Sequence, residues 1–428
     1  MDWHHKLSAD ARAIKASEIR ELLKVLADPE ILSFAGGIPD PDLFPVEEVK
    51  KFRDNLEQQD ALNRQSFQYS QTEGYLPLRQ WIAETFSTPE TSLHTDNVLV
   101  TNGAQQSLTL LATALMGTGD RIAVANPSYL GALQVFEARR PQFVTVSTDD
   151  DGLIMDDLEK VLRDGAKFLY TIPDFQNPGG MTLPEARRKR IIELAHEFQV
   201  PVLEDTAYRA LYYDGPPPPS LLEMEGRYLG ADRWAEEGLV IQIGTASKTL
   251  MPALRVGWTI APQGLLDKLV ILKQANDLSS STVNQMLTFE LASKHLPAHV
   301  EILRETYAKR RDAMVTALRQ HLPNSVHFLA PAGGMFVWLN LPEGMDAKVL
   351  LEKALAREKL AFVPGAAFHA CGGGANTLRL SFSTCPPDVI ADAMKRLALL
   401  IREEARNQTQ SLPSKPITKN PAEQKELV

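Results

Sequence analysis

Lys248 stands in the segment TASKTLMPALRVGW, with Ser247 before it and Arg255 seven positions after it. These residues follow the predicted strand LVIQIG, where open α/β sheets form ligand crevices. A lysine that is partly desolvated near another cation has a lowered pKa and can form a Schiff base with a carbonyl compound. A solvated loop lysine is the ordinary alternative, and this segment alone does not decide between the two.

Three more polar residues are predicted to lie at the same edge of the sheet. Asp205 ends the run VPVLED, Tyr208 follows it closely, and Asn177 lies in YTIPDFQNPGG after another strand. The carboxyl ends of parallel strands meet at one edge, so these side chains should join Lys248 there. Singly, Asp205 could cap a helix and Asn177 could form a turn. Together, a carboxylate, an amide and a phenol match a protonated pyridine nitrogen and a phenolate oxygen.

The segment TNGAQQS at 101–107 follows the predicted strand NVLVT and opens a helix. The backbone amides of Gly103, Ala104 and Gln105 would point outward at the helix N-terminus, where unsatisfied N–H groups and the helix dipole attract a phosphate. Ser247 and Arg255 would add further donors. A plain capped helix is the alternative. No Walker loop or complete G-x-G-x-x-G occurs, so no motif supports nucleotide binding.

The elements that must position these residues are predicted from short apolar runs between about residue 97 and residue 261. Alternation of such strands with helical stretches, such as 104–117 and 184–198, favours a mostly parallel sheet covered on both faces. The fold class is therefore α/β. The seven predicted strands are NVLVT at 97, RIAVA at 121, QFVTVS at 142, KFLYTI at 167, VPVLE at 200, LVIQIG at 239 and VGWTIA at 256.

A smaller α+β unit should follow. The chain from 285 is predicted to be helical, with a break at Pro297, and leads to strands at 325, 335 and 377 and a last helix near 387–405. Near the N-terminus, residues 17–29 predict an amphipathic helix. We expect an N-terminal arm grouped with the small domain, a large domain, a small C-terminal domain and a disordered tail, with the boundaries 1–46, 47–290, 291–406 and 407–428.

Composition limits the possible partners and compartment. The chain has 428 residues, 45 basic and 54 acidic side chains and a net charge of −9, so it offers no overall basic field for a nucleic acid or an anionic membrane. Cys371 and Cys385 cannot build a disulfide framework or a multi-thiolate metal site, and no metal is expected. We found no signal sequence and no apolar run long enough to span a membrane, and expect a cytoplasmic protein.

Six motifs, in order along most of the chain, carry a family resemblance: NGAQQ, NPSYLG, PDFQNPGG, LEDTAY, SKTLMPALRVGW and NTLRLSF. The chain resembles the fold-type I pyridoxal-phosphate-dependent aminotransferases of class I/II. SEIRELLK, ILSFAGGIPDPDLFP and FQYSQTEGYLPLR add a resemblance to the 2-aminoadipate and kynurenine aminotransferase branch. The resemblance implies pyridoxal 5'-phosphate as cofactor, a homodimer, and the fold-type I architecture, in which the large domain is built on a seven-stranded, mostly parallel sheet and a smaller α+β domain follows.

The resemblance also assigns roles to the residues around the crevice. Lys248 corresponds to the lysine that forms the Schiff base with the cofactor, and Asp205 to the partner of the pyridine nitrogen. Asn177 and Tyr208 match the groups that hydrogen-bond the ring oxygen, and Tyr129 the aromatic residue stacked on the ring. We expect Lys248, Asp205 and Tyr208 to be the catalytic residues, with Lys248 as the base that moves the substrate proton.

Phosphate and substrate contacts follow from the same resemblance. Arg379 matches the residue that clamps the substrate α-carboxylate, beside Asn177, and Gly37 would let the backbone approach the ligand or simply form a turn. Ser17 and Arg20 match positions that can meet a side-chain carboxylate, although Ser17 could equally cap a helix and Arg20 could be solvated. The expected phosphate contacts are Gly103, Ala104, Gln105, Ser247 and Arg255, with Tyr69 reaching across from a second subunit.

Some positions depart from the family pattern. Ala104 replaces the usual hydroxyl residue, Thr245 and Ala246 stand where a serine and an aromatic residue are common, and Asp174 replaces an asparagine. An acidic Asp174 near the crevice bears on the reaction outcome.

The expected activity is transfer of an amino group between an amino acid and a 2-oxo acid, with 2-oxoglutarate as acceptor, by a ping-pong mechanism. The expected amino donor is 2-aminoadipate or an aromatic, kynurenine-like or branched-chain amino acid. Two alternatives remain open. Another enzyme of the same scaffold, such as a C–S lyase, decarboxylase or oxidase, would share Lys248, Asp205 and Arg379. An effector-sensing regulator would need an added DNA-binding module, for which few residues precede the main fold.

Overall fold

The computed structural model describes residues 3–13, 28 and 30–411. Its strands, in chain order, are β1 (Leu32–Ser33), β2 (Val98–Thr101), β3 (Arg121–Asn126), β4 (Gln142–Asp149), β5 (Gly152–Leu153), β6 (Leu169–Thr171), β7 (Val202–Asp205), β8 (Val240–Thr245), β9 (Gly257–Ile260), β10 (His327–Phe328), β11 (Phe336–Asn340), β12 (Leu360–Ala361), β13 (Val363–Pro364) and β14 (Thr377–Ser381).

The α-helices are α1 (Ala9–Ala13), α2 (Val46–Glu57), α3 (Asp60–Ser66), α4 (Leu76–Phe86), α5 (Ala104–Leu115), α6 (Leu130–Glu137), α7 (Met155–Arg163), α8 (Glu185–Phe198), α9 (Leu221–Leu229), α10 (Ala231–Glu237), α11 (Gln263–Asp277), α12 (Thr282–Lys294), α13 (Leu296–His321), α14 (Ala347–Lys353) and α15 (Pro387–Ser411). A π-helical turn at Ala354–Glu358 follows α14. None of the described helices is long and apolar enough to cross a membrane.

The large sheet has the order β2-β9-β8-β7-β6-β3-β4-β5 and contains all seven predicted strands. The pairs from β8 through β4 are parallel, and β9 runs antiparallel to both β2 and β8. Strands β2, β6, β7, β8 and β9 are buried along their whole length, which explains their nearly continuous apolar sequences. The α/β prediction is confirmed, with the two-residue β5 as an additional edge strand.

A four-stranded antiparallel sheet, β10-β11-β14-β13, follows in the C-terminal part. The three strands predicted at 325, 335 and 377 are present, and β13 is a strand that the sequence pattern did not indicate. Near the N-terminus, β1 pairs in parallel with β12, with Leu32 opposite Leu360. This pairing supports our grouping of the N-terminal arm with the small domain, which we keep as a proposal about domain organisation.

The long helical stretch is divided as the proline predicted. Helix α12 ends at Lys294 and α13 begins at Leu296, so Pro297 lies in the first turn of α13, where its missing N–H leaves no bond unmade. The last helix runs to Ser411, so the predicted start of a tail at 407 falls inside α15. The apolar face of this helix packs into the core as far as Ile401, with Ala405 against it, and the helix continues through polar residues to Ser411. Residues 14–27 and 412–428 lie outside the described part.

Candidate functional site

The predicted chemistry-bearing residues surround a cavity of about 170 Å³ at the carboxyl ends of the parallel strands. Asp205 is the last residue of β7, and Lys248 lies shortly after the end of β8. The structure brings eight of the predicted residues to the cavity wall: Ala104, Gln105, Tyr129, Asp205, Tyr208, Ser247, Lys248 and Arg255. Gly103 precedes this lining as the residue before α5, and Asn177 and Arg379 contact each other on one side of Tyr208.

Lys248 is partly buried, and its amine makes one hydrogen bond with the described residues. Its Nζ donates to the Gly37 carbonyl at 2.7 Å and lies 5.8 Å from the centre of the Tyr208 ring. Burial lowers the pKa of Lys248 to about 8, and the positive charges of Arg379 and Arg255 add to that effect, while Asp205 opposes it. Lys248 can therefore supply a neutral amine near physiological pH, which both a nucleophile and a general base require.

Asp205 is the acid on the cavity wall, and its side chain is held from behind. Its two oxygens accept hydrogen bonds from the Tyr170 hydroxyl at 2.9 Å and from the Ala207 backbone N–H at 3.1 Å. Burial raises the pKa of Asp205, while both hydrogen bonds oppose the rise. A carboxylate fixed in this way suits a protonated ring nitrogen. Sequence reasoning missed Tyr170, whose signal was a phenol in a buried strand beside the strand that ends in Asp205.

The other end of the cavity has the donors that a phosphate needs. Gly103 has φ +74° at the start of α5, and a Cβ there would lie 2.6 Å from Nη2 of Arg255. Gly257 is equally constrained, because its Cβ would lie 2.6 Å from the Gly103 carbonyl carbon. The hydroxyls of Thr245 and Ser247 lie 2.9 Å apart beside the exposed Arg255. Backbone amides, hydroxyls and a guanidinium at a helix N-terminus fit the phosphate of pyridoxal 5'-phosphate.

Two of the departures from the family pattern are explained at this end. Ala104 leaves only its backbone N–H for an anion, since its side chain has no donor. Thr245 retains a hydroxyl, which accepts a hydrogen bond from the Ser247 N–H at 3.2 Å and fixes the turn that leads to Lys248.

Arg379 projects from β14 and is buried without an acidic hydrogen-bond partner among the described residues. Its Nη1 donates to Asn177 Oδ1 at 2.7 Å and its Nη2 to the Ala35 carbonyl at 2.7 Å. The guanidinium lies 4.3 Å from the Phe336 ring centre and 5.0 Å from that of Phe368. Its Nε is buried and has no hydrogen-bond partner within the part of the chain that the structure describes. Burial lowers the pKa of Arg379 to about 10. A guanidinium bonded only to neutral groups has charge available for a substrate carboxylate.

Aromatic and amide groups complete the wall between the two ends. Asn177 Nδ2 donates to the Tyr208 hydroxyl at 3.4 Å, so one amide contacts both Tyr208 and Arg379. Tyr129 is the residue before α6 and lines the cavity. Burial raises the pKa of both tyrosines, so both are neutral hydrogen-bond donors at physiological pH.

Asp174 is fully buried and does not line the cavity. Its oxygens accept hydrogen bonds from Arg188 at 2.5 Å and from Arg209 at 2.8 Å, so two guanidinium groups balance its charge. Arg188 also donates to backbone carbonyls of Pro173, Leu183 and Pro219. The negative charge that the sequence placed near the crevice is therefore used to join the loops that carry Asn177 and Tyr208.

Three predicted contacts are not completed by this cavity. Tyr69 is 77% exposed and does not line the wall. Ser17 and Arg20 lie outside the described residues. The Gly37 carbonyl accepts the hydrogen bond from Lys248 Nζ. A Cβ at Gly37 would lie 2.6 Å from the Phe336 ring, so this position requires a glycine.

Comparison with known proteins agrees with this geometry. The family model described as aminotransferase class I and II matches residues 30–397. The chain is 41% identical over 405 residues to a 2-aminoadipate transaminase of Thermus thermophilus, covering 94% of this chain and 98% of the relative. It is 40% identical over 417 residues to an aromatic-amino-acid aminotransferase of Thermococcus litoralis, covering 95% and 96%.

Among solved structures, the α-aminoadipate aminotransferase LysN of Thermus thermophilus superposes with a TM-score of 0.87 at 39% identity. The match covers 95% of this chain and all of that one, and that protein was solved in complex with N-(5'-phosphopyridoxyl)-L-leucine.

Proposed function

This chain belongs to the class I and II aminotransferases and is a pyridoxal-phosphate-dependent enzyme, and from that premise we propose that it moves an amino group between an amino acid and a 2-oxo acid in a ping-pong cycle. The observation that carries the proposal is one cavity with a low-pKa lysine and a fixed carboxylate on its wall, next to a buried arginine that has no acidic partner in the described ranges. Lys248 can form a Schiff base and remove a proton from the substrate. Asp205 can hold a protonated ring nitrogen, and Arg379 can bind a substrate carboxylate.

In this proposal, each residue of the site has the role that its position in the cavity allows. When bound, pyridoxal phosphate acts as an electron sink that makes the substrate Cα–H acidic. Asp205 keeps a positive charge on the ring nitrogen, because it is the acid fixed on that wall. Arg379 and Asn177 hold the α-carboxylate and so fix which Cα bond faces the ring. Lys248, as a free neutral amine, would move the proton between the substrate Cα and the cofactor carbon.

We propose 2-aminoadipate or an aromatic, kynurenine-like or branched-chain amino acid as donor, and 2-oxoglutarate as acceptor. Support comes from the aminoadipate and aromatic-amino-acid names of the relatives and from the leucine adduct in the Thermus structure. Ser17 and Arg20 would contact a distal carboxylate, a proposal that concerns residues outside the described part.

A donor panel with 2-oxoglutarate tests this function. We expect formation of glutamate together with the 2-oxo acid of the donor, and parallel double-reciprocal plots when both substrates are varied. Release of ammonia, carbon dioxide or a thiol without need for an acceptor would instead establish a lyase, decarboxylase or oxidase. Repeating the panel with Arg20→Gln should reduce kcat/KM for acidic donors by about tenfold and spare apolar donors, because a charge-assisted contact is lost.

We also propose a homodimer in which Tyr69 contacts the cofactor phosphate of the neighbouring subunit. The support is that Tyr69 and Phe67 are exposed aromatic residues that lie outside this chain's own cavity lining. Mixing Tyr69→Phe with Lys248→Ala chains tests the sharing, because each hybrid dimer would have one site free of both changes. Activity of confirmed hybrids no higher than that of the parents would exclude a shared site.

A cytoplasmic location is part of the proposal. Both cysteines are free thiols, with Cys371 exposed and Cys385 partly buried, which suits a reducing compartment. Fractionation of the native cells tests it directly.

A further inference from the structure

A buried lysine lies behind the phosphate end of the cavity. Lys273, on α11, has a fully buried side chain, and its Nζ donates to both oxygens of Asp277 at 2.7 and 2.9 Å. Asp277 is the last residue of α11 and remains one-fifth exposed. Burial lowers the pKa of Lys273, and the charge of Asp277 opposes this change. Such a buried pair is costly unless its remaining hydrogen-bonding groups are satisfied, and Asp277 makes two further hydrogen bonds.

Asp277 gathers two side chains from the turn that begins α5. Its Oδ2 accepts a hydrogen bond from Asn102 Nδ2 at 2.5 Å and another from Gln106 Nε2 at 2.7 Å. Gln106 also accepts a hydrogen bond from the Asn102 backbone N–H at 2.8 Å, so the two residues are bonded to each other as well as to Asp277. Asn102 and Gln106 directly flank Gly103, Ala104 and Gln105.

The network also reaches the guanidinium at the phosphate end. Arg255 Nη2 donates to the Asn102 carbonyl at 3.3 Å, so both ends of the turn and Arg255 are held together. Asp277 alone would place a negative charge behind an anion site. Lys273 balances that charge, which explains why a buried lysine is used here and not a neutral donor.

We propose that Lys273, Asp277, Asn102 and Gln106 are positioning residues that hold the amides of Gly103–Gln105 in place for the cofactor phosphate. They act through the turn, since none of the four lines the cavity. The inference rests on the cofactor assignment, because it concerns the phosphate of pyridoxal phosphate and no other part of it.

Gln106→Ala tests the proposal with the least disturbance. It removes the hydrogen bonds of the Gln106 side chain to Asp277 and to the Asn102 N–H and leaves the Lys273–Asp277 pair intact. Dissociation constants of the full-length enzyme for pyridoxal 5'-phosphate and for pyridoxal, which lacks the phosphate, are measured by equilibrium dialysis. We expect Gln106→Ala to weaken binding of the phosphorylated form by about tenfold and to leave pyridoxal binding unchanged. The selective loss separates positioning of the phosphate site from general damage.

Gln320→Ala is the matched control, since it makes the same substitution at an exposed glutamine of α13. The control should bind both compounds as the unchanged protein does. Equal weakening of both compounds in Gln106→Ala, or no change in either, would overturn the inference. If Gln106→Ala does not fold, Asn102→Ala is judged by the same ratio. An unchanged protein that binds neither compound would contradict the proposed function instead.

Discussion

The two ends of the cavity are built in different ways. The cofactor end, which we define as Gly103–Gln105, Asp205, Ser247, Lys248 and Arg255, comes from the carboxyl ends of three strands of one sheet, β2, β7 and β8, and from the residues that follow them. The carboxylate end, Asn177 with Arg379, joins the large sheet to the four-stranded sheet across 202 positions of sequence. The Ala35 carbonyl, 344 positions from Arg379, completes that end from the N-terminal segment.

This difference indicates how the two ends should respond to change. The cofactor end is built within the large sheet and the segments next to its strands, so damage to the small sheet should leave cofactor binding in place. The carboxylate end depends on packing between distant segments, so its geometry should follow any movement between the sheets. Variants at one end should therefore separate cofactor binding from amino-acid binding.

The largest expected effect is at the cofactor end. Lys248→Ala should lose the visible absorption of the covalently attached cofactor and lower kcat by about a thousandfold or more, because general-base catalysis is lost with the amine. Absorption spectra and donor turnover measure both changes. Lys268→Ala, an exposed lysine on α11, is the control and should retain colour and turnover. An unchanged visible spectrum in Lys248→Ala would refute the assignment.

Substitution of the buried Asp174 should lower the stability of the fold. Asp174→Asn leaves the fully buried Arg188 without its charge partner and should lower the free energy of unfolding by about 3 kcal/mol. Denaturant unfolding of the holoenzyme measures the loss. The pair of the exposed Asp149 with the partly buried Arg187 provides the control, because Asp149→Asn should cost less than about 1 kcal/mol. Equal stability of the two variants would show that the buried pair does not hold these loops.

At the carboxylate end, Arg379→Gln should raise KM for every amino donor by about 10- to 100-fold, because a charge-assisted bond to the shared α-carboxylate is lost. The dissociation constant for pyridoxal phosphate should not change. Arg319→Gln removes an exposed arginine and should alter neither value. If Arg379→Gln also lost its cofactor, the two ends would not be independent.

The smallest expected effect is the pH dependence of cofactor capture. Because burial lowers the pKa of Lys248 to about 8, half of its amine is neutral near that pH and nearly all of it about one unit higher. The rate at which the cofactor-free enzyme captures pyridoxal phosphate should therefore level off about one pH unit above the pKa, near pH 9. An ordinary lysine would still be gaining neutral amine at its reference pKa of about 10.4. A stopped-flow rate that keeps rising steeply up to about pH 10 would contradict the lowered pKa.

The same lowered pKa fixes the sign of a stability effect in the cofactor-free protein. Below about pH 8, the folded state bears the cost of a buried charged amine. Between that pH and the reference pKa of about 10.4, the folded state releases this proton before the unfolded state does. The contribution of Lys248 to stability therefore improves as pH rises through this window.

The sequence by itself determined the large sheet and the cofactor end. Each of the seven strands is a short apolar run, and a polar residue at the end of a parallel strand has one edge to occupy. Lys248, Asp205 and Gly103 could therefore be placed together without coordinates. The family motifs then supplied the chemistry that unites them.

Only the tertiary structure decided how those groups are held. The hydrogen bonds of Asp205 to Tyr170, of Lys248 to Gly37 and of Arg379 to Ala35 join segments far apart in the chain. The role of Asp174 depended on two arginines that no local pattern connects to it. Propensity and periodicity describe neighbours in sequence, whereas burial, charge balance and pKa arise from neighbours in space.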